Sequence, residues 1–326
     1  MITVVFPTRN RADLLSAAIH SLLPQTLGGD HFETLVIDNG STDHTAEVVS
    51  RLANQVPNLR YIYAAEPGLH VGRHRGMREA KGNILVFADD DIEATPTWLE
   101  SYRHLFDDPQ VAMAGGNNFP LFVHPPPDWL KCLWEHSVQE GGRSLPALSI
   151  LDLKGGPRAL SPYHVWGCNF AIRKSVLLEA GGFHPDGMPK ELIRFRGDGE
   201  THVSRYVVES GLKCMFHPGA SVYHKVTPER MSHDYFRQRG YSQGISDSFT
   251  ALRSQETTVS TGRRNVVHRA AAWAWRNLKG RVYLTGDARQ AMSELKHGYG
   301  EGYAYHQHCY ATDPEVRAWV HRPGYF

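Results

Sequence analysis

The chain reads Ile84-Leu85-Val86-Phe87-Ala88-Asp89-Asp90-Asp91, an apolar run that ends in three consecutive carboxylates. Ile84–Ala88 is typical of a parallel strand that is buried on both faces. Three adjacent carboxylates repel one another and raise each other's pKa. A divalent cation relieves this repulsion, and oxygen ligands suit Mg²⁺ or Mn²⁺, which bridge carboxylates to substrate phosphates. The alternative is a solvated acidic turn that caps a helix starting near Pro96.

Strand-like and helix-like segments alternate upstream of this stretch. Apolar strand patterns lie at Ile2–Phe6, Thr34–Ile37 and Leu59–Tyr63. A helical pattern follows each of them, and the last of these is Val71–Ala80. The alternation predicts an α/β fold with a doubly wound, mostly parallel sheet flanked by helices. Ligands of such sheets bind at the carboxyl ends of the strands.

Polar residues follow the predicted strands at those ends. Thr8 to Asn10 come after the first strand, and Asp38 comes after the second. Asp38 is suited to accept a hydrogen bond from a nucleobase N–H or a ribose hydroxyl, and the alternative is an Asx turn before a helix. The basic segment 68–76 lies near a helix start, where it would meet a diphosphate or form a solvated face. The chain has no GxGxxG and no GxxxxGK[ST] there, which argues against a dinucleotide or P-loop site.

Composition excludes several classes of protein. The chain has 326 residues, of which 41% are hydrophobic and 21% charged, so disordered and fibrous classes are excluded. A formal net charge of +1 argues against a general nucleic-acid binder. No apolar run reaches the roughly 18–20 residues of a membrane span, and the N-terminus does not resemble a signal peptide. Four widely spaced cysteines without a CxxC pair favour a reduced, cytoplasmic protein.

Changes in composition and in hydrophobic pattern divide the chain into three predicted regions, at residues 1–118, 119–230 and 231–326. Proline and glycine clusters such as Pro125-Pro126-Pro127 predict a long loop at 119–162. Beyond about Arg230 the pattern is helical, which predicts a helical C-terminal extension. Within it, the apolar segment 266–275 is flanked by arginines and would suit contact with a membrane surface. A packing helix or a dimer helix is the alternative for this segment.

Eight short segments occur in a fixed order between Met1 and about Gly244. They are Phe6-Pro7-Thr8-Arg9-Asn10, Asp38-Asn39-Gly40-Ser41-Thr42-Asp43, Gly72-Arg73-His74-Arg75-Gly76, Ala88-Asp89-Asp90-Asp91, Gly167-Cys168-Asn169-Phe170-Ala171-Ile172-Arg173, Gly181-Gly182-Phe183, Gly197-Asp198-Gly199-Glu200-Thr201 and Pro218-Gly219-Ala220-Ser221-Val222-Tyr223-His224. Together they resemble the family 2 inverting glycosyltransferases of the GT-A fold, whose DXD motif corresponds to Asp89-Asp90-Asp91.

The resemblance implies a nucleotide-diphosphate sugar donor and a Mn²⁺ or Mg²⁺ cofactor. It assigns residues 1–118 to the donor and residues 119–230 to the acceptor and to catalysis. The nucleotide-sugar-binding residues that it implies are Pro7, Thr8, Arg9, Asn10, Asp38, Arg73, Asp89, Asp90 and Arg230. The metal ligands that it implies are Asp91, Asp89 and His224. A histidine without a ligand role remains the alternative for His224.

The resemblance also implies a general base, because an inverting transfer needs a carboxylate that takes the proton of the acceptor hydroxyl. Family members carry Glu-Asp before a helix that ends in Gly, whereas this chain reads Asp198-Gly199-Glu200. Counting back from Gly211 places the second acidic position on Glu200. Counting from Arg205 places the pair on Asp198 and Gly199. We prefer the first register and predict Glu200 as the base, with Asp198 as the alternative base or as an orienting partner. A further alternative is that both carboxylates cap the following helix.

The predicted function is therefore an inverting, metal-dependent and non-processive glycosyltransferase. The chain lacks the QxxRW motif and the membrane spans of the family's processive synthases. The acceptor would be a carbohydrate or a lipid-linked glycan, with no nucleic-acid partner and with a cytoplasmic location that allows peripheral membrane contact. A sugar-nucleotide pyrophosphorylase would need a glycine-rich basic loop after the first strand, which is absent. The remaining alternative is a catalytically silent nucleotide- or carbohydrate-binding module on the same fold.

Overall fold

A computed structural model describes residues 1–56, 58–139, 141–257 and 286–326. The α-helices within these ranges are α1 (Ala12–His20), α2 (Thr45–Leu52), α3 (Leu69–Glu79), α4 (Trp98–Phe106), α5 (Asp128–His136), α6 (Lys174–Glu179), α7 (Glu200–Glu209), α8 (His233–Thr257), α9 (Gly286–Thr312) and α10 (Pro314–Val320). The strands are β1 (Ile2–Thr8), β2 (Phe32–Asp38), β3 (Leu59–Tyr63), β4 (Ile84–Phe87), β5 (Ile92–Ala94), β6 (Val111–Gly115), β7 (Asn118–Phe122), β8 (Val138–Gln139), β9 (Gly142–Leu145), β10 (Ile150–Leu153), β11 (Arg158–Ala159), β12 (Phe170–Arg173), β13 (Lys213–Phe216) and β14 (Val222–Val226).

The larger sheet has eight strands in the order β11-β13-β6-β12-β4-β1-β2-β3. Strands β1 to β4 pair in parallel, as the alternation of strands and helices predicts. Strand β12 is antiparallel to both of its neighbours, β4 and β6, so the sheet is mixed rather than uniformly parallel. Its parallel half brings the ends of β1, β2 and β4 to one edge.

Helices cover both faces of this sheet. Val4 and Phe6 of β1 pack in a cluster with α1, α2 and α4, whereas Val5 packs in another with α3, α6 and α7. Every residue of β1 is buried, which explains why its sequence is a continuous apolar run instead of an alternation. The two-sided burial fixes the sheet between its helices and holds the strand ends in place.

The segment 119–162, predicted as a long loop, instead holds helix α5 and several short strands. Strands β7 to β10 join β5 and β14 in a second, six-stranded sheet of order β5-β14-β7-β10-β9-β8. Its pairs are mostly antiparallel, and they are only a few residues long. Pro125-Pro126-Pro127 precede α5, and Gly141 lies between β8 and β9. Strand β14 carries His224 opposite Ile92, directly beside the acidic triplet.

The described part of the C-terminal region is helical, as predicted. Helices α8 and α9 run in the same direction, since Gly240 approaches Leu295 and Gly244 approaches Tyr299. A Cβ atom at Gly302 would lie 2.0 Å from the carbonyl oxygen of Tyr241, so only glycine permits this separation of the helices. Within the described residues, no helix has both the length and the apolar content to cross a bilayer. The segment 266–275 lies outside the described residues.

Candidate functional site

The candidate site lies where β1, β2 and β4 end. Thr8, the last residue of β1, is in register with Asp38, the last residue of β2. The backbone N–H of Asn39 donates to the carbonyl oxygen of Thr8 at 2.8 Å, which holds the two strand ends together. The acidic triplet begins two residues after Phe87, where β4 ends.

Asp38 is buried, and both of its carboxylate oxygens accept hydrogen bonds. The backbone N–H of Ser41 donates to Oδ1 at 2.7 Å, and the hydroxyl of Tyr61 donates to Oδ2 at 2.7 Å. Burial and this hydrogen bond raise the pKa of Tyr61 above its usual range. Asp38 thus stabilises the turn after β2, through the N–H three residues on, and it stands at the strand end beside Thr8.

The loops after β1 and β2 are tied to each other by Asn10. Its backbone N–H donates to Oγ of Ser41 at 2.9 Å, and its side-chain oxygen accepts from the N–H of Thr42 at 2.7 Å. Asn10 has a φ of 54°, a left-handed conformation that asparagine tolerates better than most residues. Arg9 beside it is exposed. Pro7 lies under helix α3, where a Cβ at Gly72 would come within 3.1 Å of it.

Asp90 is buried and faces β1. It accepts a hydrogen bond from the hydroxyl of Thr8 at 2.7 Å, and it pairs with the guanidinium of Arg11 at 2.7 Å. Burial raises the pKa of Asp90 to about 7, although Arg11 and Thr8 oppose the shift. Asp90 therefore supports the strand end from within the protein, on the side of the triplet that faces Thr8.

Asp91 is surrounded by cationic groups and by His224. Its Oδ2 pairs with Arg11 at 2.9 Å and with Arg230 at 3.4 Å, and its Oδ1 lies 3.3 Å from Nε2 of His224. Burial alone would raise the pKa of Asp91. The hydrogen bond and charge of His224, together with Arg11 and Arg230, outweigh burial and lower it below its usual range. A charged carboxylate at this position is suited to hold a cation.

These residues fit a divalent cation. Nδ1 of His224 is buried and has no hydrogen-bond partner within the described part of the chain. Oδ1 of Asp91 is also buried, and it faces the ring of His224 at 3.3 Å. Ligand atoms of Asp89 and His224 lie within 4.8 Å of each other. Carboxylate oxygens and an imidazole nitrogen suit Mn²⁺, and the carboxylates also suit Mg²⁺. Asp89, Asp91 and His224 are therefore the side chains that could hold the ion.

Arg73 is buried under the site and pairs with two carboxylates. One guanidinium nitrogen lies 3.2 Å from Oε2 of Glu200, and another lies 3.8 Å from Oδ1 of Asp89. The side chain is only 3% exposed and its cation lies 5.2 Å from the ring of Phe183. Gly167 covers the guanidinium, because a Cβ there would come within 1.9 Å of it. Arg73 thus connects the acidic triplet to Glu200.

Glu200 is the first residue of α7, and its side chain is 24% exposed. Its Oε1 accepts from the backbone N–H of Gly167 at 3.3 Å, while its other oxygen faces Arg73. Gly199 precedes it with φ 52° and ψ −126°, a conformation that L-residues avoid. This conformation explains why glycine, and not an acidic residue, stands directly before Glu200.

Asp198 is fully engaged by the protein. Its Oδ1 lies 2.5 Å from Nδ1 of His184, and its Oδ2 accepts from Arg205 at 2.9 Å and from the hydroxyl of Thr250 at 2.6 Å. Burial would raise the pKa of Asp198, but these partners lower it below its usual range. Because Thr250 belongs to α8, Asp198 joins the turn before α7 to the C-terminal helices.

The structure therefore brings most of the predicted residues together, and it places Asp198 in a different network. Eight of them lie in two neighbouring groups of ion pairs and hydrogen bonds. In the first group Arg11 joins Asp90, which bonds Thr8, to Asp91, which contacts His224 and Arg230. In the second group Arg73 joins Asp89 to Glu200, and ligand atoms of Asp89 and His224 lie within 4.8 Å of each other. Asp198 belongs instead to the network of His184, Arg205 and Thr250. Arg11 and Tyr61, which bind carboxylates of the site, are not among the residues predicted from the sequence. The sequence offered one signal for Arg11, which is its position directly after Asn10 and near the end of a strand. It offered none for Tyr61, because a tyrosine within a strand is common.

This fold and site define the GT-A class of glycosyltransferases. The chain belongs to glycosyl transferase family 2, whose family model matches residues 3–179. The predicted family and fold are thereby confirmed. The match covers the whole acidic triplet and Arg73, and it ends before Glu200.

Named relatives agree with this family. The chain is 30% identical over 217 residues to glycosyltransferase AglE of Haloferax volcanii. The aligned residues cover 66% of this chain and 64% of AglE. The chain is also 35% identical over 201 residues to validoxylamine A glucosyltransferase of Streptomyces hygroscopicus subsp. jinggangensis. That alignment covers 57% of this chain and 47% of the glucosyltransferase. The chain thus spans less than two thirds of the length of either relative.

A solved structure is similar over nearly the whole chain. It is the mannosyltransferase PcManGT of Pyrobaculum calidifontis in complex with GDP-Man and Mn²⁺. The two superpose with a TM-score of 0.54 and 20% sequence identity, covering 98% of this chain and 82% of PcManGT. At 20% sequence identity, this similarity shows that the two chains share a fold.

Proposed function

We propose that the chain is an inverting, metal-dependent glycosyltransferase that moves one sugar from a nucleotide-diphosphate sugar to an acceptor hydroxyl. The observation that carries this proposal is the position of Arg73, which joins Asp89 at the end of β4 to Glu200 at the start of α7. The family match supports the use of a nucleotide sugar. The ion pairs support a site in which a cation-binding group and a carboxylate base lie side by side.

On the donor side, Asp38 and the loops joined by Asn10 would bind the nucleoside, with Pro7, Thr8 and Arg9 lining the same edge. Asp89, Asp91 and His224 would hold Mn²⁺ or Mg²⁺ against the diphosphate. When bound, the cation would neutralise the diphosphate and stabilise the negative charge that develops as it leaves. Arg230 lies within 3.4 Å of Asp91 and would add a fixed positive charge there.

On the acceptor side, Glu200 would take the proton of the acceptor hydroxyl. The acceptor oxygen then forms its bond to C1 of the sugar while the bond from C1 to the diphosphate oxygen breaks, which inverts the anomeric centre. Arg73 and the N–H of Gly167 fix the two oxygens of Glu200, so the carboxylate is oriented before the acceptor binds. We assign the base to Glu200 rather than Asp198, because Asp198 is 2% exposed and its oxygens already face three partners.

The acceptor class is also part of this proposal. A carbohydrate or a lipid-linked glycan would present the required hydroxyl group. The name of the Streptomyces relative specifies validoxylamine A, which supports a small glycoside-like acceptor as the first to be tested. A cytoplasmic location with peripheral membrane contact would suit the lipid-linked alternative.

The proposal is tested by two substitutions that separate binding from transfer. Calorimetry with UDP, GDP, dTDP and CDP, each with Mn²⁺ or EDTA, identifies the nucleotide. We expect Asp91→Asn to abolish metal-dependent binding, because it removes a charged ligand. We expect Glu200→Gln to bind normally and to lose about 10²–10⁴-fold in the rate of nucleoside diphosphate release with acceptor.

Matched controls exist for both changes. Asp13→Asn alters a side chain that is 96% exposed, and Glu209→Gln alters an exposed residue at the other end of α7. Both controls should behave like the wild type. Transfer at a near wild-type rate by Glu200→Gln would refute the assignment of the base. Metal-dependent nucleotide binding without turnover of any sugar donor would instead support the catalytically silent binding module.

A further inference from the structure

Cys168 lies beside the proposed cation site, although no role described so far uses its thiol. It precedes β12 by two residues and is 2% exposed. Its sulfur, a carboxylate oxygen of Asp89 and a ring nitrogen of His224 all lie within 4.8 Å of one another. These three side chains come from three separate segments of the chain, so their convergence is a property of the fold.

The chemistry of this trio differs from that of the oxygen-rich set around Asp91. Thiolate and imidazole ligands select Zn²⁺ and similar soft or borderline ions, whereas Mg²⁺ avoids sulfur. With metal–ligand bonds of about 2.0–2.3 Å, a tetrahedral ion holds its ligand atoms about 3.3–3.6 Å apart. The trio would therefore need to contract by little more than about 1 Å, which side-chain rotation supplies.

A second observation, on the same histidine, also indicates an unseen ligand. His224 is 2% exposed, and its Nδ1 has no hydrogen-bond partner within the described part of the chain. A buried polar atom without a partner is costly unless an unseen ligand or water satisfies it. The opposing explanation is that Cys168 only fills space, since it also packs in the apolar cluster with Val86 and Ala88.

We propose that Asp89, Cys168 and His224 form a thiolate-containing site for cations of the Zn²⁺ class. In this site a metal–sulfur bond forms, the S–H bond breaks, and the proton is released to solvent. The ligand set shares Asp89 and His224 with the predicted Mn²⁺ or Mg²⁺ site, so the two modes of occupation exclude each other. Zn²⁺ would then compete with the metal–nucleotide complex. That consequence rests on the proposed function, whereas the binding of Zn²⁺ does not.

Cobalt spectroscopy on the full chain, without nucleotide, tests the site directly. Co²⁺ takes the same ligands as Zn²⁺, and a cobalt–thiolate bond gives a charge-transfer absorption band in the near ultraviolet. We expect the wild type to show the band, one equivalent of Zn²⁺ to remove it, and Cys168→Ser to lack it. The affinity of Cys168→Ser for Zn²⁺ should fall by at least about tenfold.

Two further variants keep the result interpretable. Cys214→Ser changes another buried cysteine, which lies on β13, and it should keep the band. If Cys168→Ser does not fold, Cys168→Ala takes its place, because a methyl group suits the apolar cluster. A wild type without the band, or a Cys168 variant that retains it, would overturn the proposal. Mn²⁺-dependent nucleotide binding is measured on the same samples, so a failure of the zinc site is distinguishable from a failure of the glycosyltransferase proposal.

Discussion

The donor side of the site (Thr8, Asp38 and Asp89–Asp91) and the base side (Asp198, Gly199 and Glu200) are built in different ways. The residues of the donor side stand at or just after the ends of β1, β2 and β4, and parallel pairing brings those three ends together. The base side stands at the start of a helix, and its position depends on residues far away in the sequence. Thr250 contacts Asp198 across 52 positions, and Arg73 contacts Glu200 across 127.

On the proposed function, this difference predicts that nucleotide binding and sugar transfer depend on separate regions of the chain. The donor side needs the parallel half of the larger sheet. The base side also needs α8, because Thr250 holds Asp198 and Asp198 precedes the turn at Gly199. Changes in the C-terminal helices should therefore impair transfer while nucleotide binding persists. Changes at the end of β3 should impair nucleotide binding, while the transfer rate at saturating donor persists.

The largest expected effect comes from Asp198→Asn, which removes the charge that Arg205 and His184 face. We expect the free energy of unfolding to fall by about 3–5 kcal/mol, because the guanidinium of Arg205 loses a buried charged partner. The lowered pKa of Asp198 means that its stabilisation is complete above the unfolded carboxyl pKa of about 3.9 and is lost as the pH falls further. Denaturant unfolding at several pH values measures both effects.

Asp13→Asn is the matched control for this prediction, since it removes an exposed carboxylate and should leave stability unchanged. The difference in stability between the wild type and Asp198→Asn should narrow as the pH falls below about 4. Nucleotide binding by the folded variant should resemble that of the wild type, while transfer declines. An unchanged stability at neutral pH would show that Asp198 does not hold the base side.

The positions of the donor-side residues at strand ends can be predicted from the sequence, for a local reason. A buried strand that ends in polar residues predicts both the strand and the position of those residues, so Thr8, Asp38 and the acidic triplet were found without knowledge of packing. The segment 119–162 shows where prediction from local sequence patterns fails. Its strands are short, and β7, which joins them to the rest of the second sheet, pairs with β14, which begins about 60 residues after the segment ends. No local pattern records such a partner.

The same limit applies to the base side. The spacing of Asp198, Gly199 and Glu200 allowed two registers, and sequence alone could not decide between them. The structure distinguishes the two carboxylates by their surroundings, because one faces Arg73 and the other faces Thr250 of α8. Likewise, the hydroxyl of Tyr61 reaches Asp38 only because β3 pairs with β2 in a particular register. Contacts of this kind are determined by the fold as a whole.

An intermediate effect is expected from Gly302→Ala in α9. The added Cβ would lie 2.0 Å from the carbonyl oxygen of Tyr241, so α8 and α9 must move apart. We expect a loss of about 1–3 kcal/mol in stability, as for other overpacked contacts. Since Thr250 lies on α8, transfer should also decline, and nucleotide binding should not. Denaturant unfolding and calorimetry measure the two quantities.

Gly300→Ala is a close control because it lies on the same helix, where a Cβ would meet nothing within 4 Å. It should stabilise the protein by up to about 1 kcal/mol, since alanine favours a helix more than glycine does. Equal stability of the two alanine variants would contradict the close packing of α8 on α9. It would also remove the route by which the C-terminal helices support the base side.

The smallest effect is expected from Tyr61→Phe, which tests the donor side alone. It removes the hydroxyl that donates to Oδ2 of Asp38 at 2.7 Å, a bond worth about 1 kcal/mol. The carboxylate of Asp38 would then be less firmly oriented, and nucleotide affinity should fall by roughly fivefold, with the transfer rate at saturating donor unchanged. Tyr63→Phe, at the exposed end of the same strand, is the control and should keep wild-type affinity. A lower transfer rate of Tyr61→Phe at saturating donor would contradict this separation. It would mean that the donor side and the base side are coupled.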